Sequence, residues 1–281
     1  MSKSKIILSI GALILVVGLF FLPKAVVKND EPAAVENPEA TAESTTPQNN
    51  SSLEASHNAE IPPDRQELVK SLRENFNNSD DNKNIVIFAD SLAVVFKSYN
   101  MLDSAAKYLG IAAERSPALN TYRKAGDAYY EAFTFAVDKS KAQDLAEKAR
   151  SNYNKAIELT SGDAALDMKA NIAMTYIATS NPMQGISMLT EILDENPEHE
   201  GAIFNLGILS IQSNQYDKAV GRFEKLVALY PENLQGQFYL GLSYKESGDL
   251  EKAREQFEKV KTLDSDPEVQ ATVDSYLEEI K

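Results

Sequence analysis

Cysteine and tryptophan are absent from the sequence, and histidine occurs only twice. Without cysteine the chain has no disulfide, no thiolate metal site, no cysteine nucleophile and no N-terminal lipid-modified cysteine. His57 lies in an acidic polar tract, and His199 follows closely after Pro197. The lack of cysteine does not by itself indicate a cellular compartment.

The residue patterns that catalysis requires are also missing. The sequence has no glycine-rich phosphate loop, no His-Glu-x-x-His pattern, no usable set of Ser, His and Asp, and no cluster at metal-ligand spacing. The acidic stretch DENPEHE (194–200) contains Pro197, which favours an exposed connection between helices over a divalent-metal site. Adjacent carboxylates such as Glu278 and Glu279 are more typical of solvated surface than of an acid/base pair. We therefore expect no enzyme activity, no cofactor, no metal and no small-molecule substrate.

The formal net charge is -14, and it is spread unevenly along the chain. Residues 1–28 carry only lysines, residues 29–63 carry only acids, and the remainder is acidic overall. An acidic domain is repelled by phosphate backbones, so nucleic acid is not an expected partner.

The run IILSIGALILVVGLFFL (6–22) contains no charge and follows Lys3 and Lys5. As a helix it would span roughly 25 Å, and residues 25–27 extend it if Lys24 snorkels. The run ends in FFLPKAVV, without the small-residue pair of a signal-peptide cleavage site. We predict an uncleaved transmembrane anchor after a short head (1–5); a cleaved signal peptide and a buried core helix are the alternatives.

The orientation of this anchor and the segment after it follow from charge and composition. Lysines flank the apolar run on both sides and nearly balance, but the short head favours placing the bulk of the chain outside the cytoplasm of a bacterium. Residues 23–63 form an acidic linker rich in Pro, Ala, Ser, Thr and Asn, which is typical of a disordered tether. Its flexible part would reach about 30–35 Å.

The C-terminal half aligns with itself when it is shifted by 34 residues. AIFNLGILSIQSNQYDKAVGRFEKLVALYP (202–231) is then paired with GQFYLGLSYKESGDLEKAREQFEKVKTLDS (236–265). A shift in the other direction extends the pattern to 166–199. A repeat of this length with two helix-sized halves predicts a solenoid, in which each unit buries its apolar face only against its neighbours. The matched pairs are Leu206 and Leu240, Gly207 and Gly241, Ala219 and Ala253, and Phe223 and Phe257.

These residues resemble the tetratricopeptide repeat. The resemblance implies that Gly207 and Ala219 lie where the two helices of a unit come close, that Phe223 fills the gap between them, and that Pro231 ends the second helix. The chain departs from the family pattern by lacking its early Trp, and Ser265 stands where Pro is typical. Gly185 replaces the usual Ala, which should loosen the second helix of its unit.

The pattern continues upstream less regularly, through FADSLAVVFKSYNMLDSAAKYLGIAAERSP (88–117) and through TYRKAGDAYYEAF (121–133) with AEKARSNYNKAIEL (146–159). The second of these units exceeds the period, so both of its helices are expected to be longer by about a turn and a half, with a turn near 138–141. The predicted fold is all-α, a superhelical solenoid over 64–281. Its five repeats are placed at 86–118, 119–163, 166–199, 200–233 and 234–267, after a leading helix at 64–76 and before a closing helix at 268–281.

The segment FNLGILSI (204–211) is apolar around nearly the whole circumference of its helix, so it must cover two faces. Leu206 and Gly207 are expected to pack against Ala219 and Phe223. The family binds partners through a concave surface of first helices, so the resemblance implies a groove for an amphipathic helix or an apolar peptide. The alternative is that flanking helices of the chain fill this face. The predicted groove residues are Ala170, Met174, Ile177, Phe204, Ile208, Ile211, Phe238 and Leu242.

The carboxylate clamp found in some members of the family is not expected here. Ala170, Phe204 and Phe238 stand where a clamp lysine would be needed, and Asn171 and Asn205 lie one place aside. We therefore predict a non-catalytic scaffold at the bacterial inner membrane, binding an unidentified protein or peptide of the cell envelope. A cleaved periplasmic adaptor of cell division or envelope assembly, and an accessory subunit of a membrane enzyme-maturation complex, are the alternatives.

Overall fold

The computed structural model describes residues 61–179 and 181–280. Within these ranges the chain forms helices and no strand, so the all-α prediction is confirmed for the part of the protein that the structure describes. The twelve helices are α1 Pro63–Asn78, α2 Asn82–Ser98, α3 Leu102–Arg115, α4 Leu119–Thr134, α5 Lys139–Ile157, α6 Asp163–Ala178, α7 Pro182–Glu195, α8 Glu200–Gln212, α9 Tyr216–Leu229, α10 Leu234–Ser247, α11 Leu250–Leu263 and α12 Pro267–Glu279.

The predicted head, the anchor and the linker up to residue 60 lie outside the described residues. Helix α1 begins at Pro63, the last residue assigned to the linker, because proline suits the first turn of a helix. None of the helices in the two described ranges is long and apolar enough to cross a membrane.

The helices pack in chain order, as expected for a solenoid. Each helix contacts mainly its predecessor and its successor, and the buried apolar residues fall into four clusters that follow one another along the chain. Helices α2 and α3 begin a series of five pairs, which continues through α10 and α11. The term first helix is used below for α2, α4, α6, α8 and α10.

Within a pair, a glycine of the first helix accepts a ring from the second. A Cβ at Gly207 would lie 2.6 Å from Cζ of Phe223, and one at Gly241 would lie 2.8 Å from Cε1 of Phe257. Both rings are fully buried. The contact predicted between Gly207 and Phe223 is therefore present, and it repeats in the next pair.

Gly185 plays the opposite role to the one expected from the sequence. A Cβ at this position would lie 2.4 Å from the carbonyl oxygen of Ala173 and 2.5 Å from Cγ1 of Ile177. The glycine therefore lets α7 approach the backbone of α6 closely, and the predicted loosening of this helix is wrong.

The long second pair differs in part from its prediction. Helix α5 has 19 residues, whereas α7, α9 and α11 have 14 each. Helix α4 has 16 residues, the same as α6 and three more than α8, so α5 takes up most of the extra length. Asp138 caps α5 by accepting a hydrogen bond from the Lys141 amide at 2.7 Å, which places the turn at the edge of its predicted position.

The last helix closes the core where another first helix would follow. Tyr276 of α12 packs at 5.4 Å from the Phe238 ring and 5.3 Å from the Phe257 ring, measured between centroids. Helix α12 therefore covers apolar surface that would otherwise be left open at the end of the solenoid.

The four acids of the stretch 194–200 are exposed, as expected, whereas His199 among them is buried with 5% of its surface accessible. Its Nδ1 atom accepts a hydrogen bond from the Ala202 amide at 3.2 Å and so caps α8. Its Nε2 atom lies 3.3 Å from Oδ1 of Asp167 on α6. Nε2 has no hydrogen-bond partner among the described residues, so at the start of α8 His199 joins the third and fourth pairs only through this close approach to Asp167.

Replacing His199 by Ala should lower the free energy of unfolding by about 1–2 kcal/mol, because the first turn of α8 loses its cap. The matched control is His199→Asn, since Asn233 caps α10 at the equivalent position by accepting from the Gly236 amide at 2.7 Å. The asparagine variant should retain most of the stability in urea unfolding followed by circular dichroism. Equal losses in both variants would contradict a capping role.

Candidate protein-binding face

The first helices form one continuous surface, here called the first-helix face. Helix α6 contacts both α4 and α8, and α8 also contacts α10. Helices α2 and α4 are joined by an ion pair between Lys124 Nζ and Asp90 Oδ2 at 2.6 Å and by another between Lys97 and Glu131. Because a solenoid curves toward the side on which like helices meet, this face is its concave side.

The N-terminal half of the first-helix face is ionic. Besides the two ion pairs between α2 and α4, Nε of Arg123 lies 3.8 Å from Oδ2 of Asp127 within α4. These three ion pairs combine charges of both signs. This half therefore offers a partner polar contacts but little surplus charge.

A hydrogen-bonded centre joins α4, α5 and α6 beneath this surface. The hydroxyl of the fully buried Tyr153 donates to Oδ1 of Asp127 at 2.9 Å and accepts from Nδ2 of Asn171 at 3.0 Å. Burial raises the pKa of the Asp127 carboxyl, although the hydrogen bond from Tyr153 and the charge of Arg123 act in the opposite direction. Burial also raises the pKa of the Tyr153 phenol. The network holds Asn171 in place, so this side chain is already engaged within the protein.

The C-terminal half of the first-helix face is apolar. The structure leaves five of the eight predicted groove residues partly exposed, and these are Met174, Ile177, Phe204, Ile208 and Leu242. Each first helix has one alanine or glycine at the same place in the repeat, here called its small residue: Ala93, Gly126, Ala173, Gly207 and Gly241. The residue directly after it is Met174 on α6, Ile208 on α8 and Leu242 on α10, so these three form a row. We call these five residues the apolar row; their role in binding stays a prediction.

The other three predicted groove residues are buried, and this is a correction to the expected open surface. Ala170 is 4% exposed, and Ile211 and Phe238 are each 3% exposed. Phe238 is covered by Tyr276 of α12, and Ile211 belongs to the same core cluster. Ala170 packs in the neighbouring cluster of α6, α7 and α8. For these three positions the alternative that the chain fills its own surface is the correct one.

Phe204 belongs both to the core and to the first-helix face. Its ring centroid lies 5.9 Å from that of Phe223 and 5.6 Å from that of Tyr239, edge-on in both cases. The remaining part of the ring is exposed on the first-helix face. A substitution at Phe204 would therefore disturb the junction between the fourth and fifth pairs as well as the apolar row.

Two exposed residues on α2 were missed by the sequence reasoning. Ile87 is 57% exposed and Val94 is 70% exposed. Val94 directly follows Ala93, just as Met174 follows Ala173. Applying the repeat register to the first unit would have found Val94. In the second unit the same register position, directly after Gly126, is occupied by Asp127 on α4.

Comparison with known proteins matches one segment of the chain to a repeat family. The tetratricopeptide repeat family model matches residues 204–268. No curated protein sequence matches the chain. The matched segment spans α8 to α11, where the glycine and ring contacts are most regular.

One solved structure shares the fold, and two others show weaker similarity. A tetratricopeptide repeat protein from Parabacteroides merdae is 18% identical, with a TM-score of 0.52 over 75% of this chain and 80% of that one. MamA is 16% identical (TM-score 0.44, 64% of this chain, 92% of that one). YrrB, described as a TPR protein with an unusual peptide-binding site, is 19% identical (TM-score 0.42, 73% of this chain, 96% of that one).

The described chain is thus a solenoid of paired helices with a concave first-helix face. The match to the tetratricopeptide repeat is confined to 204–268, and the Parabacteroides merdae structure shares the fold of the described residues.

Proposed function

We propose that the protein is a non-catalytic scaffold that holds an apolar helix or peptide of a cell-envelope protein against its first-helix face. The observation that carries this proposal is the apolar row, in which Met174, Ile208 and Leu242 recur on three consecutive first helices and remain partly exposed. Contiguous apolar surface on a protein marks a site of interaction. The spacing between neighbouring first helices suits an elongated apolar ligand that contacts each in turn.

The proposed location is the bacterial inner membrane, with residues 6–22 as a single-pass anchor, residues 23–63 as the tether and the solenoid outside the cytoplasm. The sequence pattern of lysines, apolar run and acidic linker supports this arrangement. N-terminal sequencing of the mature chain separates an anchor from a cleaved signal. A C-terminal alkaline phosphatase fusion should be active, and an inactive fusion would contradict the orientation.

The function is tested with a photo-reactive amino acid at Met174 in the full-length chain, irradiated in intact membranes. The chain with an otherwise unchanged first-helix face should form one discrete covalent adduct with its partner. Substituting both Ile208→Glu and Leu242→Glu should reduce this adduct at least tenfold, because burying each apolar side chain contributes about 1.5–3 kcal/mol. Phe204 is left unchanged because it also packs against Phe223 and Tyr239.

The control makes the same chemical change away from the face. Leu159 is 55% exposed and lies just after the end of α5, and Leu250 is 46% exposed and begins α11. The variant carrying Leu159→Glu and Leu250→Glu should keep the wild-type adduct. Equal adduct yields in both double variants, with unchanged circular dichroism, would refute binding on the apolar row.

A further inference from the structure

An open cleft of about 490 Å³ separates the third pair of helices from the fourth. Its apolar walls come from Ile177 of α6, Ile186 of α7, and Leu206 and Leu209 of α8. Its polar lining comes from the end of α8 and the start of α9, including Ser210, Gln215, Lys218 and Arg222. The cleft shares Ile177 with the apolar row but none of its other members. We call it the inter-pair cleft.

The cleft exists because one position in the repeat lacks its usual ring. The third residue after the small residue of the first helix is aromatic in four pairs, where it is Phe96, Tyr129, Tyr176 and Tyr244. In the fourth pair this residue is Ser210, which is 2% exposed. The volume of an aromatic side chain is therefore missing between α7 and α8.

A guanidinium lies beside this space without a carboxylate partner. Nη1 of Arg222 donates to the carbonyl oxygen of Leu206 at 3.2 Å and to the hydroxyl of Ser210. Among the described residues Arg222 forms no ion pair, and its Nε and Nη2 donors have no acceptor. Arginine is partly buried here, and buried charges are normally paired.

The charges around the cleft have one sign. Lys218 and Arg222 line it, and no acidic residue does. Nζ of Lys218 is held by Oε1 of Gln215 at 2.7 Å. The chain as a whole carries a formal charge of -14, so this is a cationic position on an acidic protein. An anion would be attracted to it over its surroundings.

We propose that the inter-pair cleft binds a small amphiphilic carboxylate, with its alkyl chain against Ile177, Ile186 and Leu209 and its carboxylate on Arg222. The volume falls within the range of about 300–1,000 Å³ found for small-molecule sites, which combine apolar walls with a few polar groups that fix orientation. A carboxylate matches the geometry of the free guanidinium donors. The inference does not depend on the proposed function of the first-helix face.

The test is calorimetric titration of octanoate into the full-length chain in lipid nanodiscs, with empty nanodiscs as the blank for partitioning. Octanoate should bind saturably with one site per chain, and at least tenfold more tightly than octanol or octyltrimethylammonium. Absence of saturable binding, or equal affinity for the cationic analogue, would overturn the proposal. The proposal would also be overturned if a peptide with a C-terminal leucine carboxylate bound the cleft and octanoate did not.

Two variants taken from the chain's own repeats locate the site. Ser210→Tyr introduces the residue of three other pairs, fills the cleft and should weaken octanoate at least tenfold. Arg222→Gln introduces the residue found 34 positions later, at Gln256, and should weaken octanoate at least tenfold while changing octanol less than twofold. Because Arg222→Gln adds no volume, it tests the site even if Ser210→Tyr does not fold. Unchanged octanoate affinity in Arg222→Gln would refute the site.

The two proposals fail separately. The variant with Ile208→Glu and Leu242→Glu, neither of which lines the cleft, should bind octanoate within twofold of wild type. Loss of octanoate binding in this variant would place the ligand on the first-helix face and overturn the cleft assignment.

Discussion

Replacing Phe223 by alanine is expected to lower the free energy of unfolding by about 3–5 kcal/mol. The ring is fully buried between the helices of the fourth pair and stacks on Tyr239 of the fifth, with centroids 5.8 Å apart. It also contacts the edge of Phe204. One truncation therefore removes contacts within a pair and between two pairs, and the cavity remains because both neighbours are rings held by other residues.

The matched control for this substitution is Phe223→Leu. Leu189 occupies the equivalent position on α7 and is fully buried there, so the fold accepts leucine at this place. The leucine variant should lose about 1–2 kcal/mol, since most of the apolar volume remains. Urea unfolding followed by circular dichroism measures both losses, and hydrogen exchange should localise the effect to α8, α9 and α10. A loss below 1 kcal/mol for the alanine variant would show that this ring is not central to the core.

Replacing Gly207 by alanine should lower the free energy of unfolding by about 1–3 kcal/mol, although alanine is the better helix former. The new Cβ would lie 2.6 Å from Cζ of Phe223, and that ring cannot move without displacing Tyr239. The steric cost therefore exceeds the gain in helix propensity.

The neighbouring helix provides the control for this change. Gly221 of α9 is exposed, and a Cβ there would meet no atom within 4 Å. Gly221→Ala should raise the free energy of unfolding by up to about 1 kcal/mol, so the same substitution has opposite signs at two glycines in one pair. Combining Gly207→Ala with Phe223→Leu should cost less than the sum of the single changes, because the smaller side chain relieves the clash. Stabilisation by Gly207→Ala would contradict the close contact seen in the structure.

Much of the fold was predictable because the repeat encodes it locally. Small residues such as Gly207 and rings such as Phe223 recur at fixed spacing, and this spacing alone indicates which residues meet within a pair. The turn before α5 was also predicted, and Asp138 caps that helix at the edge of the predicted position. The prediction was least accurate for the unit 119–163, which is longer than the period. A count of extra residues does not show which helix contains them.

The candidate site was predictable only in part. The row through Met174, Ile208 and Leu242 follows from the period. The burial of Phe238 does not, because it depends on Tyr276, which lies beyond the last full repeat. The role of Gly185 was misjudged because helix propensity describes an isolated helix. In the folded chain, the backbone of α6 determines whether a side chain fits at this position.

The sequence by itself determined that the described part of the chain is an all-helical solenoid, since periodic apolar and small residues specify contacts between near neighbours in the chain. Only the tertiary structure decided which surfaces stay open. The centre of Asp127, Tyr153 and Asn171, the approach of His199 to Asp167 and the cleft beside Ser210 all join residues from different helices at irregular spacings. Exposure depends on what packs opposite a side chain, and that neighbour is set by the three-dimensional arrangement and not by the repeat pattern.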